Sequence, residues 1–443
     1  MRSVKPFLFL LITFLPSLAS ALGLTELIEG ALNYHPSIIQ QKELQSASLK
    51  GLDSAKWQYF PTPSISLDAV STSDKDPSYS GDDYAIRLGL NQPLYTGGRI
   101  SAGVAAAEAN IVAANAGLAQ SAEDVSLQMV QSYGDWLSAH LKGLAWAKSI
   151  ATHEKLKNQV KRRTEAGIAT LSDLSLAKGR LESNHADAAT VFAEEAVSIT
   201  HLEELFGHVI KIKELRSSKP FPIELAADIV ALENAALINN PAMLTARATV
   251  LNAEADVKLQ KTSIKPDVSL RLEHQHGNTS YDSARDSENR LFLIAGSRFG
   301  AGLLSFSAID QSLIRKNAAL AQLNSTRVRL RRIVQSDYAL LQSFQVRINA
   351  LEASLQTAIE VSESYSRQFL VGRKSWLDVM NAARDLVGIE VQLADAKSAE
   401  VFVSWRLSII ALGLDATLAE VAKSQQLSAS DTTFDLSGNN NNE

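Results

Sequence analysis

The chain has 443 residues, 46% of them hydrophobic, and a formal net charge of −5 at pH 7. A mildly acidic chain offers no basic surface to a nucleic acid, so no nucleic-acid partner is expected. The chain contains no cysteine, which excludes disulfides and thiolate metal sites.

Residues 1–21 have the pattern of a secretory signal peptide. A basic start at Arg2 and Lys5 precedes an apolar run, and the small residues at 19–21 supply a cleavage site. The mature chain is therefore predicted to begin at Leu22. Because no cysteine follows this cleavage site, we expect no lipid anchor on an N-terminal cysteine.

The rest of the chain repeats itself at an offset of 205 residues. The matching positions include Pro36 with Pro241, Pro61 with Pro266, Gly97 with Gly302, Tyr133 with Tyr338, Gly167 with Gly372 and Asp173 with Asp378. Many of these residues form turns or caps, which fix where elements begin and end. The two halves are therefore predicted to share one architecture. We expect a first repeat over 22–207, a linker over 208–226, a second repeat over 227–413 and a polar tail over 414–443.

Each repeat is predicted to open with a helix that proline interrupts. In the first copy the helix runs from about Leu24 to Trp57, and His35-Pro36 breaks it. Asn240 and Pro241 occupy the same place in the second copy. Proline fits the first turn of a new helix better than a helix interior, so two successive helices are expected.

The hydrophobic period then changes from helical to two, which predicts an antiparallel hairpin in each repeat. The strands are expected at about 63–71 and 84–92, and at about 267–275 and 289–297. Each has about ten residues, the length of a tilted transmembrane strand. Four strands are too few to close a barrel, and open edges in lipid cost several kcal/mol per unpaired group. If the strands span a membrane, the chain must oligomerise. A small soluble β-layer with one wet face fits the pattern equally well.

A very long helix follows each hairpin. From about Gly98 to Ala166 there is no proline, and about 68 residues at 1.5 Å each make a rod of about 100 Å. The second copy carries leucines, isoleucines and valines at spacings of three, four and seven, which is typical of coiled coils. The rods are predicted to turn at Gly167 and Gly372 and to return as helices.

These features together resemble the TolC family of outer-membrane channels. The resemblance covers nearly all of the mature chain. It rests on the hairpin-to-helix junctions, Pro93 to Gly98 and Phe299 to Gly302, and on the turn motifs at 166–173 and 371–378. At the junctions, the residues that carry it are Pro93, Gly97, Gly98, Gly300 and Gly302.

The resemblance implies a mainly α fold with a small β part. In the family, three chains each contribute four strands to a twelve-stranded barrel in outer-membrane lipid, and the antiparallel helices continue it as an α-barrel across the periplasm. The helix turns form a periplasmic tip that is closed at rest. A periplasmic adaptor and an inner-membrane ABC or proton-driven transporter dock there. The resemblance implies a channel without enzyme activity, and no cofactor is expected. His274 and His276 share a face of a predicted strand, but no third ligand accompanies them, so no metal site is expected.

The resemblance also implies a gate at the tip. Asp378 matches the first position of an acidic ring on the returning helix, and Asn381 stands at the second position in place of an acid. Three carboxylates around one pore would favour cations. Ser375 and Asp378 also have the spacing of a capping box, as do Thr170 and Asp173, so capping alone could explain both aspartates.

A polar latch between neighbouring turns is the second implied feature of the tip. The matching residues are Ser172 and Asp173 against Phe369 and Lys374, and Phe369 lacks the hydroxyl that would complete one latch bond. Lys374 could still reach Ser172 or Asp173; a solvated lysine is the ordinary alternative. The surface around Gly167 and Gly372 is the part that the family offers to its adaptor.

The resemblance leaves the cargo open. The chain is most similar to the type I secretion branch, which exports large adhesin-like proteins. The alternative is a drug or metal efflux pump. A more remote alternative, a periplasmic coiled-coil scaffold that forms no channel, would not need four amphipathic strands.

Overall fold

The computed structural model describes residues 22–70, 81–222, 228–277, 279, 287–297 and 299–423. The predicted signal peptide and the last twenty residues of the predicted tail, 424–443, lie outside the described residues. The chain divides into two compact units, and each draws on both halves of the sequence. Unit 1 comprises Met1–Tyr34, Val125–Pro222 and Leu341–Trp405, and unit 2 comprises His35–Asp124, Ile223–Leu340 and Arg406–Glu443.

The same order of elements occurs twice. The first half contains α1 (Leu24–Tyr34), α2 (Pro36–Trp57), β1 (Thr62–Ala69), β2 (Tyr84–Tyr95), α3 (Arg99–Glu165) and α4 (Leu171–Phe206). The second contains α5 (Ile229–Asn239), α6 (Pro241–Thr262), β3 (Asp267–His276), β4 (Ser287–Gly296), α7 (Leu304–Leu370) and α8 (Trp376–Leu412). A short helix, α9 (Leu414–Lys423), follows. The predicted mainly α fold with a small β part is confirmed, whereas the repeat boundaries stay a prediction.

The break between the first two helices of each repeat has a local cause. Pro36 and Pro241 each stand at the first position of a new helix. The side chain before each proline caps that helix: His35 Nδ1 accepts from Ser37 N at 3.3 Å, and Asn240 Oδ1 accepts from Ala242 N at 3.0 Å. Proline has no N–H to lose there, so the chain can restart a helix without leaving a donor unpaired.

The four strands form one antiparallel sheet in the order β1-β2-β3-β4. Its central pair joins the two halves of the chain, with Leu90 opposite Leu272 and Leu88 opposite His274. The edges are β1 and β4, whose residues are exposed almost throughout. Among the residues that the structure describes, no further strand pairs with β1 or β4, so either edge could accept another strand.

A long helix follows each hairpin in the sequence. Helices α3 and α7 have 67 residues each, so each is about 100 Å long at 1.5 Å per residue. Within the described residues, α3 is the helix that is long and apolar enough to cross a membrane, and α8 with α9 would pass as one bent span. Length and composition alone do not separate such a span from a helix that packs against other helices.

The described part of the predicted linker, residues 208–222, packs as part of unit 1. The buried Tyr133 hydroxyl donates to the carbonyl of Arg216 and accepts from Ser218 N at 2.7 Å. Farther along, Phe221 N donates to Ser404 Oγ on α8 at 3.0 Å. These contacts give the segment's backbone groups partners, which a buried connection requires.

Candidate functional site

The two turns that end the long helices have the same backbone. Gly167 follows α3 with φ +74°, and Gly372 follows α7 with φ +76°. Both residues are exposed, and no atom lies within 4 Å of the place that a Cβ would take. Glycine is therefore required there by the left-handed backbone and not by lack of space.

Each returning helix begins with a reciprocal cap, as the capping interpretation predicted. On α4, Asp173 N donates to Thr170 Oγ1 at 3.1 Å, and Thr170 N donates to Asp173 Oδ2 at 3.0 Å. On α8, Asp378 N donates to Ser375 Oγ at 3.1 Å, and Ser375 N donates to Asp378 Oδ2 at 3.1 Å. Both aspartates therefore stabilise the start of a helix.

The caps also fix the charge of the two aspartates. The Ser375 hydroxyl and backbone N–H hold the pKa of Asp378 below its ordinary value, and the positive charge of Lys374 adds to this. At Asp173 the backbone N–H of Thr170 lowers the pKa first, followed by the indole of Trp376. Both carboxylates stay ionised near neutral pH, as an electrostatic filter would require.

A hydrogen bond that the sequence did not predict links the two turns. Trp376 Nε1, at the first position of α8, donates to Asp173 Oδ1 on α4 at 2.8 Å. The repeat equivalent of Trp376 is Leu171, which has no side-chain donor, so the repeat gave no indication of this bond. The acceptor is ionised, which makes the bond stronger than one between neutral groups.

Within the chain, Lys374 does not make the predicted contact with Ser172 or Asp173. Its Nζ lies 4.2 Å from the centroid of the Tyr365 ring. The ring face attracts the ammonium group, and Trp376 already occupies the second oxygen of Asp173. Ser172 is exposed and makes no side-chain hydrogen bond within the described part of the chain.

Phe369 has a packing role in place of a latch hydroxyl. It is buried in an apolar cluster with Leu156, Val379, Met380 and Ala383. The Arg163 guanidinium lies over its ring, 4.4 Å from the centroid. The cluster joins the ends of the long helices to the start of α8, directly beside Asp378. Asn381, one turn farther along α8, is exposed.

The two strand-to-helix junctions share a pair of left-handed positions, and the second junction has one more at Gly300. Gly97 and Gly302 have φ +59° and +58°, and Gly300 has φ +71°. Gly98, with φ +88°, is matched by Leu303, the described non-glycine residue with a positive φ. Pro93 precedes them in β2, next to a register shift against β3. Proline donates no ladder hydrogen bond, so it fits an irregular position of this kind.

Potential metal ligands do not cluster in the described residues, where no group of three or more His, Asp or Glu side chains converges. His274 Nδ1 lies 2.8 Å from Asn289 Oδ1 across the β3–β4 pair. This histidine therefore has a structural partner.

Changing Trp376 to phenylalanine is expected to loosen the two turns. The substitution keeps an aromatic ring and removes only the donor to Asp173. We expect faster amide hydrogen exchange around residues 166–176 and 371–380, measured by mass spectrometry, with exchange in the sheet unchanged. Trp136→Phe is the matched control, because Trp136 Nε1 is buried and has no hydrogen-bond partner among the described residues. Equal exchange at the turns in both variants would show that the indole bond does not hold them.

Comparison with known proteins gives one consistent result. The family model for "Outer membrane efflux protein" matches residues 27–208 and 232–401. The chain is 22% identical over 361 residues to the outer membrane efflux protein BepC of Brucella suis, a match that covers 80% of this chain and 77% of BepC. It is 23% identical over 397 residues to the outer membrane protein TolC of Vibrio cholerae, with 86% and 89% of the two chains covered.

Solved structures share the fold. The CmeC outer membrane channel of Campylobacter jejuni aligns with a TM-score of 0.76 at 14% identity, covering 88% of this chain and 85% of CmeC. The outer membrane protein VceC of Vibrio cholerae aligns with a TM-score of 0.72 at 19% identity, covering 88% and 96%.

Proposed function

The chain belongs to the outer membrane efflux protein family, and we propose that it forms the exit duct of a tripartite export machine. It is an outer-membrane protein with helices that extend into the periplasm, and it is not an enzyme. The observation that carries the proposal is the continuity of the fold. Each hairpin of about ten-residue strands leads directly into a helix of 67 residues, a length that suits a duct across an aqueous compartment.

The apolar side chains of the sheet support a lipid-facing role. Ile65 and Leu67 on β1 and Leu291 and Leu293 on β4 are each 67–76% exposed in the single chain. On β1 these residues alternate with Ser64, Ser66 and Asp68, so one face of that strand is suited to lipid and the other to water. On β4 the alternation is interrupted, because Phe292 and Ile294 lie on the opposite face. Four strands do not close a barrel, so the duct must be an oligomer in this proposal. The resemblance to the TolC family implies that this oligomer is a homotrimer with twelve strands in the outer membrane.

The partners of the duct follow from the same proposal. An inner-membrane ABC or proton-driven transporter would supply the cargo, and a periplasmic adaptor would contact the tip at Gly167, Ser172, Asp173, Gly372 and Lys374. Phe369, which the sequence also placed at this contact, is buried in the apolar cluster and is not available to a partner in this structure. Exposed apolar residues beside the turns give such a partner a surface to bury, and they are Ile168, Leu171, Leu370 and Val371. A stable trimer that resists SDS and sediments with outer membranes is expected. A soluble periplasmic monomer would favour the scaffold alternative.

For the cargo, we favour type I secretion of a large adhesin-like protein, and drug or metal efflux is the alternative. The efflux alternative has specific support in the relative BepC, which is named an efflux protein. The deciding experiment is mass spectrometry of surface and secreted proteins from a strain that lacks this gene, with a complemented strain as control. Loss of one or a few very large proteins supports secretion. An unchanged exported proteome favours efflux, and drug and metal susceptibility would then rise in the deletion strain.

The gate proposal assigns Asp378 a role in ion selection in addition to its cap. We expect Asp378→Asn to weaken cation preference while keeping the helix start, because an amide oxygen can still accept from Ser375. Asp378→Ala removes both charge and cap, and should also raise resting leak. The measurement is reversal potential and conductance in planar bilayers under a salt gradient. Asp173→Asn is the matched control on the other turn. A reversal potential unchanged by Asp378→Asn would leave this residue with a capping role alone. Because Asn381 carries no charge, the proposed acidic ring of the gate would then have no member left.

A further inference from the structure

The two long helices carry opposite charges at one equivalent position. Asp124 on α3 and Arg329 on α7 are 205 residues apart, so the repeat places them at the same point of their helices. Both residues are exposed. Asp124 accepts from Gln120 Nε2, one turn earlier on its own helix, at 2.9 Å. Arg329 makes no ion pair within the described part of the chain.

The contacts of α7 show which way Arg329 points. One side of α7 is buried and includes Leu330. Another side faces α5, where Gln335 Nε2 donates to Glu233 at 2.7 Å and the Arg331 guanidinium lies 3.7 Å from the same carboxylate. At about 100° per residue, Arg329 is about 160° from Arg331 and about 100° from Leu330 around the helix. Arg329 therefore points away from α5 and from the buried side.

Neighbouring helices lie on both sides of Asp124. On one side, Ser121 Oγ donates to Ser37 Oγ of α2 at 3.4 Å. On the other, Glu123 accepts from Asn240 Nδ2, at the start of α6, at 2.9 Å. Asp124 lies between these two sides of α3, about 60° from Ser121 and about 100° from Glu123. Asp124 therefore faces neither α2 nor α6, which agrees with its exposure.

The side of α7 that bears Arg329 is polar over four double turns. Exposed polar residues recur there every seven positions, and they are Arg315, Gln322, Arg329 and Ser336. Seven residues make nearly two turns, so these side chains share one side of the helix. In the proposed duct the helices form a wall, and α5 lies on its outer side, because an additional helix inside would obstruct the passage. The polar side of α7, and Asp124 at the equivalent position of α3, therefore face the lumen.

We propose that Asp124 and Arg329 line the lumen as a ring of alternating negative and positive charges, and that this ring determines how the duct treats charged cargo. The inference rests on the proposed duct. Rings of one sign make pores selective, whereas each chain here contributes one charge of each sign, so this ring favours neither sign. It suits an unfolded protein with both acidic and basic side chains, because no field of a single sign retains such a cargo.

Neutralising one member of the ring at a time tests the proposal in planar bilayers. Arg329→Gln leaves the negative charges and is expected to shift the reversal potential toward cation preference. Asp124→Asn leaves the positive charges and should shift it the opposite way, while its amide oxygen can still accept from Gln120. The double variant should return close to the wild type. The shifts are expected at about 0.01 M salt, where the Debye length is about 30 Å, and should disappear at about 1 M, where it is about 3 Å.

Lys316→Gln is the matched control. It removes the same charge from the same helix, but Lys316 Nζ binds Glu254 of α6 at 2.9 Å, so the reversal potential should equal that of the wild type. All variants are also measured in the Asp378→Ala background, so that charge at the proposed gate does not mask the ring. Shifts of one sign from Arg329→Gln and Asp124→Asn, an equal shift from Lys316→Gln, or no shift in either background would overturn the ring and leave the duct. A wild-type protein without channel conductance would remove both.

Thiol chemistry provides a second measurement, because the chain has no cysteine of its own. Arg329→Cys is modified in the bilayer with a cationic or an anionic methanethiosulfonate reagent. The cationic reagent restores a positive charge and is expected to return the reversal potential toward that of the wild type, whereas the anionic reagent should move it farther toward cation preference. Lys316→Cys should respond to neither reagent. An Arg329→Cys channel that also responds to neither would place this position outside the lumen and overturn the ring.

Discussion

Replacing Arg406 with methionine is expected to lower the free energy of unfolding by about 3–5 kcal/mol. Asp337 on α7 is 1% exposed, and Arg406 on α8 binds both of its carboxylate oxygens. The Nε of Arg406 donates to Oδ2 at 2.8 Å, and a second guanidinium N–H donates to Oδ1. The substitution removes these donors and leaves a carboxylate in a site that water does not reach, which is the costly outcome.

A double substitution tests whether the lost stability comes from leaving the Asp337 carboxylate buried without its partner. Asp337→Leu combined with Arg406→Met is expected to recover most of the lost stability, because no charge then remains in the site. Lys316→Met is a surface control, since Lys316 binds Glu254 at 2.9 Å with both side chains about one-third exposed or more. That change should cost about 1 kcal/mol or less. The free energy of unfolding of all three variants is measured by guanidinium unfolding in detergent. A double variant as unstable as Arg406→Met would contradict the argument.

Replacing Glu123 with glutamine is expected to stabilise the protein at high pH and to have little effect at low pH. Glu123 on α3 is 5% exposed, and Asn240 Nδ2 donates to both of its carboxylate oxygens at 2.9 Å. Burial raises the pKa of Glu123 from 4.5 to about 7, Asn240 opposes the rise, and the charge of Asp124 adds to it. The folded chain thus favours the protonated carboxyl more strongly than the unfolded chain does.

The sign of the pH dependence follows from this raised pKa. The stability that Glu123 contributes is complete below pH 4.5 and is lost as the pH rises through about 7. A shift of this size corresponds to a difference on the order of 3 kcal/mol. The measurement is the stability of Glu123→Gln minus that of the wild type from pH 4 to about 8. The difference should grow across that range and then level off. A difference that does not change with pH would show that Glu123 is not held protonated by burial.

At the two turns, the local sequence determines the helix caps, and tertiary contacts determine the bond between the turns. The spacing of Ser375 and Asp378 predicted a cap, and the structure has it, because a capping box involves residues three positions apart on one helix start. The bond from Trp376 to Asp173 spans 203 residues and could not be read from either turn alone. The sequence shows only that Phe369 lacks the hydroxyl of a latch bond. Its burial beneath Arg163 depends on where α3 and α8 lie.

The sequence by itself determined the elements and their order. Proline and glycine mark the starts of α2 and α6 and the turns at Gly167 and Gly372, and the change of hydrophobic period marks the strands. These are short-range effects of backbone sterics and side-chain alternation, so a window of about ten residues contains them. Only the tertiary structure decided which elements meet. The register of β2 against β3 and the pair between Asp337 and Arg406 join distant residues through packing, which no local pattern encodes.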